Sequence, residues 1–192
     1  MRLFRRTARE DDRTILLRQL PRGAVCAEIG VLEGDFSERI IALTRPRRLH
    51  LIDPWKFEPG ETYERAVYGR AHVRDQARMD AMCGQVHERF EQELRTGAVI
   101  MHRLSSLEAA CQFDDEYFDW IYIDGNHQYE FVRRDLETYF TKVKAGGFIT
   151  GDDYGVIGWW GDGVTRAVDE FVARGGCSMR RGRGAQFVLR RR

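Results

Sequence analysis

Short apolar runs alternate along the chain with longer segments in which apolar residues recur at helical spacing. The apolar runs predict β-strands at residues 24–29, 49–52, 98–102, 120–123 and 147–150. The helical spacing predicts helices near residues 11–20, 35–43, 73–95, 129–143 and 164–173. Because the strand segments are almost continuously apolar, we expect a parallel sheet that is covered on both faces.

The end of the chain departs from this strand–helix alternation. Residues 177–181 and 186–189 are two short runs separated by a glycine-containing turn, which predicts a hairpin with an antiparallel last strand. The expected fold is therefore α/β, a Rossmann-like doubly wound sheet of seven strands, mostly parallel, with an antiparallel strand from the carboxyl-terminal hairpin. The length of 192 residues predicts one domain, 1–192, that begins with a helical segment at 1–22.

Residues 54–72 follow the second predicted strand and resemble an insertion over the carboxyl edge of the sheet. Four aromatic side chains lie in this segment: Trp55, Phe57, Tyr63 and Tyr68. They are compatible with a lid or substrate platform, and equally with a satellite hydrophobic cluster.

Composition excludes some classes of function. The formal net charge is +1, so no overall field favours nucleic acid. No apolar run approaches the roughly 18 residues of a membrane span, and the start of the chain lacks the apolar stretch of a signal peptide. We therefore expect a cytoplasmic protein with reduced cysteines and no membrane partner. The arginine-rich end (residues 180–183 and 190–192) is expected to be solvated or to contact an anionic partner.

A glycine loop follows the first predicted strand, in the sequence EIGVLEGDFS at 28–37. Gly30 permits a sharp turn and close approach of a ligand, and Gly34 keeps the start of the next helix open. Leu32 stands where dinucleotide-binding folds have the second glycine that a pyrophosphate requires. The loop therefore favours a ligand without phosphate, and its acidic residues suit the cationic sulfonium and ammonium groups of S-adenosylmethionine.

Two further positions suggest contacts with the adenosine part of that ligand. Asp53 ends the second strand, where an acid accepts hydrogen bonds from ribose hydroxyls; the alternative is an aspartate that caps the turn before Pro54. Ser105 and Ser106 follow the third strand, where one hydroxyl is expected to cap a helix. The same loop borders the adenine pocket in the expected fold, so both roles are compatible.

Three aspartates end neighbouring predicted strands: Asp124 ends the fourth, and Asp152 and Asp153 end the fifth. Adjacent strands lie about 4.8 Å apart, so these carboxylates should converge and need protonation, solvent or a cation. Oxygen ligands with open positions suit Mg²⁺, and such an ion would lower the pKa of a substrate hydroxyl. In the alternative, Asp124 contacts the methionine ammonium while Asp152 and Asp153 cap a loop.

His127 lies at the predicted start of a helix, with Asn126 as its N-cap. A helix N-terminus disfavours added positive charge, so we expect a neutral imidazole that can accept a proton. A general base and a hydrogen-bonded structural histidine fit equally well. The other histidines, at positions 50, 72, 87 and 102, show no pattern of partners in the sequence.

Together these motifs resemble the class I methyltransferase family that includes macrocin-type sugar and small-molecule O-methyltransferases. The resemblance spans roughly residues 24–172. It rests on AEIG (27–30) with Gly34 and Ser37, IDPW (52–55), IDGNHQY (123–129), GG (146–147), GDDY (151–154) and GVTRAVDEF (163–171). The succession of the IDGNHQY and GDDY motifs is far more specific than the glycine loop.

The resemblance implies that Glu28 and Gly30 cradle the methionine part of the cofactor and that Asp53 binds its ribose. It also implies a divalent metal at Asp124, Asp152 and Asp153 in members that use one. Many relatives have aspartate at the position of Asn126, and macrocin-type enzymes are longer at the amino end. The resemblance therefore leaves the substrate class open, and the substrate-binding elements that those enzymes place there are either missing or supplied by another subunit of a homo-oligomer.

The expected function is metal-assisted O-methylation of a sugar or phenolic hydroxyl on a small-molecule acceptor, with Asp124 and His127 as catalytic residues. Trp159 and Trp160 would stack on the acceptor ring or pack between helices. Two other functions are considered. Nucleic-acid methylation would use the arginine-rich end, but the Asn-Pro-Pro-Tyr pattern of base N-methylating enzymes is absent. The other is a non-catalytic subunit that binds the cofactor.

Overall fold

The computed structural model describes residues 11–59 and 75–192. Its strands are Val25–Ile29 (β1), Arg48–Ile52 (β2), Val99–His102 (β3), Phe118–Ile123 (β4), Val143–Gly151 (β5), Cys177–Arg181 (β6) and Phe187–Arg191 (β7). They form one seven-stranded sheet in the order β3-β2-β1-β4-β5-β7-β6. Strands β1 to β5 are parallel, whereas β7 is antiparallel to both β5 and β6. The predicted α/β fold with an antiparallel carboxyl-terminal hairpin is confirmed.

Helices cover both faces of the sheet. Within the described ranges they are Asp12–Leu17 (α1), Asp35–Thr44 (α2), Gln76–Arg89 (α3), Glu91–Thr96 (α4), Ser106–Ala110 (α5), Tyr129–Phe140 (α6) and Gly163–Ala173 (α7). None of these helices is long and apolar enough to cross a membrane.

Side chains alternate between the two faces along the central strand β4, as the pleat requires. Trp120 and Tyr122 belong to a core cluster with α1, α2 and α3. Ile121 and Ile123 belong to a second cluster with α5, α6 and α7. The sheet is therefore buried on both sides, which explains the continuous apolar runs of its strands.

Two element boundaries differ from the sequence prediction. Residues 73–95 contain two helices rather than one, because the chain leaves helical geometry at Phe90 (φ −107°, ψ 23°), whose ring is buried. Helix α6 ends at Phe140 because β5 already begins at Val143 and runs through Gly146 and Gly147. The strand was expected to begin at Gly147, but it begins at Val143 and includes both glycines.

Helix α1 represents the predicted amino-terminal helical segment, of which residues 1–10 lie outside the described part of the chain. Asp11 is its N-cap and accepts a hydrogen bond from the Thr14 N–H (3.0 Å). The side chains of Leu16, Leu17 and Leu20 are buried in the first core cluster. These leucines attach the helix firmly to the sheet.

The aromatic segment is partly visible. Trp55 is fully buried, and its indole Nε1–H donates to Leu32 O (2.9 Å). Phe57 packs against the same cluster. At these two positions the hydrophobic-cluster interpretation holds rather than the lid, whereas Tyr63 and Tyr68 lie outside the described residues.

Candidate active site

Strand register brings several of the expected site residues to one edge of the sheet. Ile29 of β1 pairs with Ile52 and with Ile123, and Ile123 pairs with Gly151. The residues that follow these pairs are therefore level with one another: Gly30, Asp53, Asp124 and Asp152. This row is termed the rim. Carboxyl ends of parallel strands are where open α/β sheets bind their ligands.

The glycine loop (residues 30–34) begins at the rim. Gly30 has φ 91° and Gly34 has φ 81°, backbone conformations that favour glycine. A Cβ on Gly30 would lie 2.2 Å from Asp124 O. The backbone at the end of β4 therefore requires glycine at position 30, and close approach of a ligand to this residue stays a prediction.

Asp53 holds the glycine loop in place. Its Oδ2 accepts hydrogen bonds from the N–H groups of Val31 (2.9 Å) and Leu32 (3.1 Å), and its Oδ1 accepts one from Trp55 N–H (2.8 Å). The side chain is fully buried. In this structure Asp53 therefore caps backbone groups, the alternative allowed by the sequence, and its contact with ribose hydroxyls stays a prediction.

Glu28 and Ser37 form a buried pair behind the loop. The Ser37 hydroxyl donates to Glu28 Oε2 (2.5 Å), and both residues are shielded from solvent. Burial raises the pKa of Glu28 well above its usual range, although the Ser37 hydrogen bond acts in the opposite direction. Glu28 is thus placed to support helix α2 through Ser37, and its contact with the methionine part of a cofactor stays a prediction.

The two serines after β3 are used within the protein. Ser105 is the N-cap of α5 and forms a capping box with Glu108, so the expected capping role is seen. The Ser106 hydroxyl donates to Asp135 Oδ1 (2.5 Å) on α6. Both hydroxyls therefore have protein partners in this structure, and their place at the border of an adenine pocket stays a prediction.

Two aspartates and a histidine converge beside the glycine loop. His127 Nε2 lies 3.2 Å from Asp124 Oδ1 and 3.3 Å from Asp153 Oδ2. One ligand atom from each of these three residues lies within 4.8 Å of the others. This set corrects the expected metal triad, because His127 takes the place of Asp152. Asp153 adopts φ 62°, a left-handed backbone conformation that is uncommon for residues other than glycine.

Asp152 is engaged elsewhere, which explains its absence from that set. Its Oδ1 accepts hydrogen bonds from Asp153 N–H (2.9 Å) and from the Gln186 side chain. Its Oδ2 forms an ion pair with Arg13 of α1, which also contacts Asp124 Oδ2 at 2.9 Å. The cation that meets the converging carboxylates in this structure is therefore a guanidinium.

The electrostatics of His127 also differ from the expectation. Helix α6 begins at Tyr129 with Gln128 as its N-cap, so neither His127 nor Asn126 occupies the position predicted for it. Burial alone lowers the pKa of His127, but Asp124 and the two aspartates after β5 outweigh it and raise the pKa. The imidazole is thus a stronger proton acceptor than in water, and it is protonated over a wider pH range.

A cavity of about 470 Å³ lies at the Asp152 end of the rim, next to α1 and α2. Its lining includes Asp12, Arg13, Phe36, Arg39, Asp152 and Gln186. The indole of Trp160 lies against His127, with the ring centroids 4.6 Å apart. Among the described residues nothing accepts a hydrogen bond from the buried Trp160 Nε1–H.

Sequence reasoning missed two groups of residues. Arg13 was not considered, although it falls three and four residues before the buried Leu16 and Leu17 and thus on the apolar face of its helix. His50 and His102 are also partners of each other (2.8 Å). Burial, together with the charge of His102, lowers the pKa of His50 to about 3. No short-range pattern reveals that pair, because it forms across two strands.

Comparison with known proteins assigns the family. A family model described as "Methyltransferase domain" matches residues 27–154. Among curated proteins, the uncharacterized protein R132 of Acanthamoeba polyphaga mimivirus is 42% identical over 55 residues, 29% of this chain. The match spans about a quarter (24%) of the length of that relative.

Solved structures share the fold. An O-methyltransferase from Bacillus cereus in complex with SAH has a TM-score of 0.63 at 16% identity, covering 94% of this chain and 79% of its own. The O-methyltransferase NovP has a TM-score of 0.64 at 19% identity, with the same coverage of 94% and 79%. TomG from Streptomyces achromogenes, in complex with SAM, has a TM-score of 0.61 at 16% identity, covering 93% and 77%. The chain thus belongs to the methyltransferase-domain family and has the fold of class I S-adenosylmethionine-dependent methyltransferases.

Proposed function

We propose that this methyltransferase transfers the methyl group of S-adenosylmethionine to a hydroxyl oxygen of a small molecule, with a divalent cation held at the rim. The observation that carries the proposal is the convergence of Asp124, His127 and Asp153 within 4.8 Å of one another, beside the glycine loop. The O-methyltransferases NovP and TomG, which share the fold, support this choice of acceptor atom.

The cofactor is proposed to lie along the backbone of the glycine loop, with its positively charged sulfonium and ammonium groups facing the acidic rim. Gly30 and Gly34 shape that surface, and Asp124 contributes a carboxylate of the rim that faces the positive groups of the cofactor. Glu28, Ser37 and Asp53 act from behind by fixing the loop, and Ser105 and Ser106 fix the wall formed by α5. The contribution of Glu28, Ser37 and Asp53 to cofactor affinity is therefore indirect.

The donor set at the rim fits a divalent cation. Two carboxylates and one imidazole nitrogen are ligands for Mg²⁺ or Mn²⁺, and the imidazole extends the choice towards Mn²⁺. When bound, such an ion acts as a Lewis acid that lowers the pKa of the acceptor hydroxyl. Asp152 supports this site by binding Arg13 and Gln186.

During transfer the acceptor oxygen forms a bond to the methyl carbon while the carbon–sulfur bond breaks and the sulfonium becomes a neutral thioether. The hydroxyl proton must leave before or during this step. Without a cation, the neutral imidazole of His127 is the proton acceptor, and Asp124 and Asp153 stabilise the imidazolium that forms. Trp160 lies beside this point, and an oxygen of a bound molecule would satisfy its buried N–H.

The test is transfer of a labelled methyl group from S-adenosylmethionine to a panel of sugar and phenolic hydroxyl compounds. The proposal predicts labelled O-methyl product, loss of product with EDTA, and recovery when Mn²⁺ or Mg²⁺ is returned. Asp153→Asn should reduce turnover at least tenfold. Asp115→Asn is the matched control, because Asp115 pairs with Lys142 (2.9 Å) and precedes β4 at the opposite edge of the sheet.

Each contrary outcome has a distinct meaning. Transfer that is insensitive to EDTA but lost in His127→Ala would contradict the proposed role of the cation and leave His127 as the base. Cofactor binding without transfer to any acceptor would favour the non-catalytic subunit. Transfer only to RNA or DNA would replace the small-molecule acceptor with a nucleic acid.

The structure offers little support for the nucleic-acid alternative. Arg180 of the arginine-rich end donates to Gln19 (2.7 Å), and Arg181 lies over the Tyr154 ring (5.6 Å). Arg191 donates to backbone carbonyls of Thr141 and Val143. These arginines thus already have partners within the protein, which makes them weaker phosphate contacts. Assembly of the chain as a homo-oligomer stays a prediction.

A further inference from the structure

Arg13 occupies the space between two carboxylates of the rim. Its Nη2 lies 2.9 Å from Asp124 Oδ2 and contacts Asp152 Oδ2. Its guanidinium carbon lies 5.3 Å from the ring centroid of Phe36 and 6.0 Å from that of Tyr122. Two anions and two aromatic faces therefore hold one guanidinium, which is the arrangement of a built site rather than of a surface side chain.

Helix α1 fixes this placement from its other end. Arg13 shares one helical face with Leu16 and Leu17 because these residues follow it at spacings of three and four, and Leu20 follows just after the helix. All three leucines are buried. Attachment of the helix by its leucines therefore directs Arg13 to the rim.

Asp124 is shared between two cationic partners. Its Oδ2 is bound by Arg13, while its Oδ1 faces His127 in the candidate cation site. A divalent ion at that site and the guanidinium of Arg13 would both draw on one carboxylate, and the two cations would repel each other at a separation of a few ångströms.

We propose that Arg13 is a positioning residue that competes with the divalent cation for Asp124 and, by occupying Asp152, confines the ion to Asp124, His127 and Asp153. This inference rests on the proposed function for the presence of a cation. It adds that Arg13, a residue of helix α1 outside the sheet, lowers the affinity of the rim for the cation.

The test is calorimetric titration of the apoprotein with Mn²⁺, without cofactor or acceptor. Arg13→Met removes the charge and keeps a side chain of similar length against Phe36. We expect Mn²⁺ to bind about tenfold more tightly than in the wild type, the scale expected when a like charge a few ångströms away is removed. Arg39→Met is the matched control, because Arg39 lines the same cavity but pairs with Asp11 (2.9 Å); its affinity should stay within about twofold.

A second variant addresses folding, since Arg13→Met leaves Asp152 buried without its cation. Arg13→Met with Asp152→Asn removes the ion pair as a unit. We expect this double variant to bind Mn²⁺ at least as tightly as the wild type. If Asp152 is itself a metal ligand, the double variant binds at least tenfold more weakly, and the proposal is overturned.

Other results overturn the proposal as well. These are equal or weaker Mn²⁺ binding by folded Arg13→Met, and absence of Mn²⁺ binding by every variant. Failure of this inference is distinguishable from failure of the proposed function, because Mn²⁺ binding is measured without turnover. If Arg13→Met leaves the Mn²⁺ affinity unchanged while the protein still transfers methyl groups, this inference fails and the proposed methyltransferase activity stands.

Discussion

Asp53 satisfies three backbone N–H groups with two carboxylate oxygens, and no solvent reaches it. Val31 and Leu32, two of its three partners, lie in the glycine loop. Leu32 and Trp55 themselves have φ values of 53° and 39°, which cost free energy for residues other than glycine. The carboxylate of Asp53 thus stabilises a strained loop, and this role differs from direct contact with a ribose.

The two roles of Asp53 make different predictions. Asp53→Ala should lower the free energy of unfolding by about 3 kcal/mol, because three buried N–H groups lose their acceptor. Affinity for S-adenosylhomocysteine, measured by calorimetry, should fall in the same variant as the loop loosens. Asp75→Ala is the control. It removes a side chain that caps one exposed N–H (2.9 Å), so it should cost about 1 kcal/mol and leave the affinity unchanged.

A loss of affinity with unchanged unfolding free energy would instead support direct ribose contact. Sequence alone identified Asp53 as a strand-end acid, because residue type and position are local properties. It could not choose between the two roles, since two of the three amides that donate to Asp53 lie more than twenty positions earlier in the chain. Arg13 was predictable in part: a charged residue on the apolar face of a helix is a signal that was available.

At the scale of elements, the junction of α5 and α6 shows how short helices are fixed. Ser105 and Glu108 form a reciprocal capping box at the start of α5. Ser106, next in sequence, reaches across to Asp135 of α6 (2.5 Å). A helix of five residues has little stability of its own, so these side chains determine its position.

Ser105→Ala should therefore lower the free energy of unfolding by about 1 kcal/mol through loss of the cap. Cofactor affinity should remain at the wild-type value, because the hydroxyl faces the helix. Ser178→Ala, at an exposed position on β6, is the matched control and should change neither quantity. A reduced affinity with unchanged stability would show that the hydroxyl contacts the cofactor after all.

Asp135 gives the α5–α6 contact a pH dependence. Burial raises the pKa of Asp135 to about 6 from its usual 3.8, although the Ser106 hydrogen bond opposes the shift. The folded protein therefore holds a proton that the unfolded chain releases, so the stability contributed by Asp135 is fully present below about pH 4 and is lost as the pH rises through 6. The difference corresponds to about 3 kcal/mol.

Asp135→Asn should remove this dependence. Relative to the wild type, the variant should gain stability between pH 4 and pH 7, by up to about 3 kcal/mol, as measured by denaturant unfolding at several pH values. The amide can still accept the Ser106 hydrogen bond. An identical pH profile for both proteins would show that Asp135 stays ionised in the folded state.

Element boundaries were less predictable than element types. The apolar runs located the five parallel strands because burial on both faces leaves a strong signal, and the glycine-containing turn located the last two. The break at Phe90 and the early start of β5 were missed, since both depend on packing between distant segments. Glycines within β5 weaken the local strand signal, although the neighbouring strands β4 and β7 complete its hydrogen bonds.

At the scale of the whole molecule, topology makes the rim. Parallel strands β1, β2, β4 and β5 end at the same level, which places the glycine loop, Asp53, Asp124 and Asp152 in one row. This convergence was predictable from strand order and direction alone. The presence of His127 instead of Asp152 in the candidate cation site was not predictable. It depends on two partners of Asp152: Arg13 of α1 and Gln186, which immediately precedes β7.

The central claim is that cofactor and cation meet at this rim. The most direct measurement is an anomalous difference map from crystals grown with Mn²⁺ and S-adenosylhomocysteine. We predict a manganese peak bounded by Asp124, His127 and Asp153, with the ligand sulfur beside the backbone of the glycine loop. A manganese peak on Asp152, or a ligand sulfur bound away from Gly30, would contradict the claim.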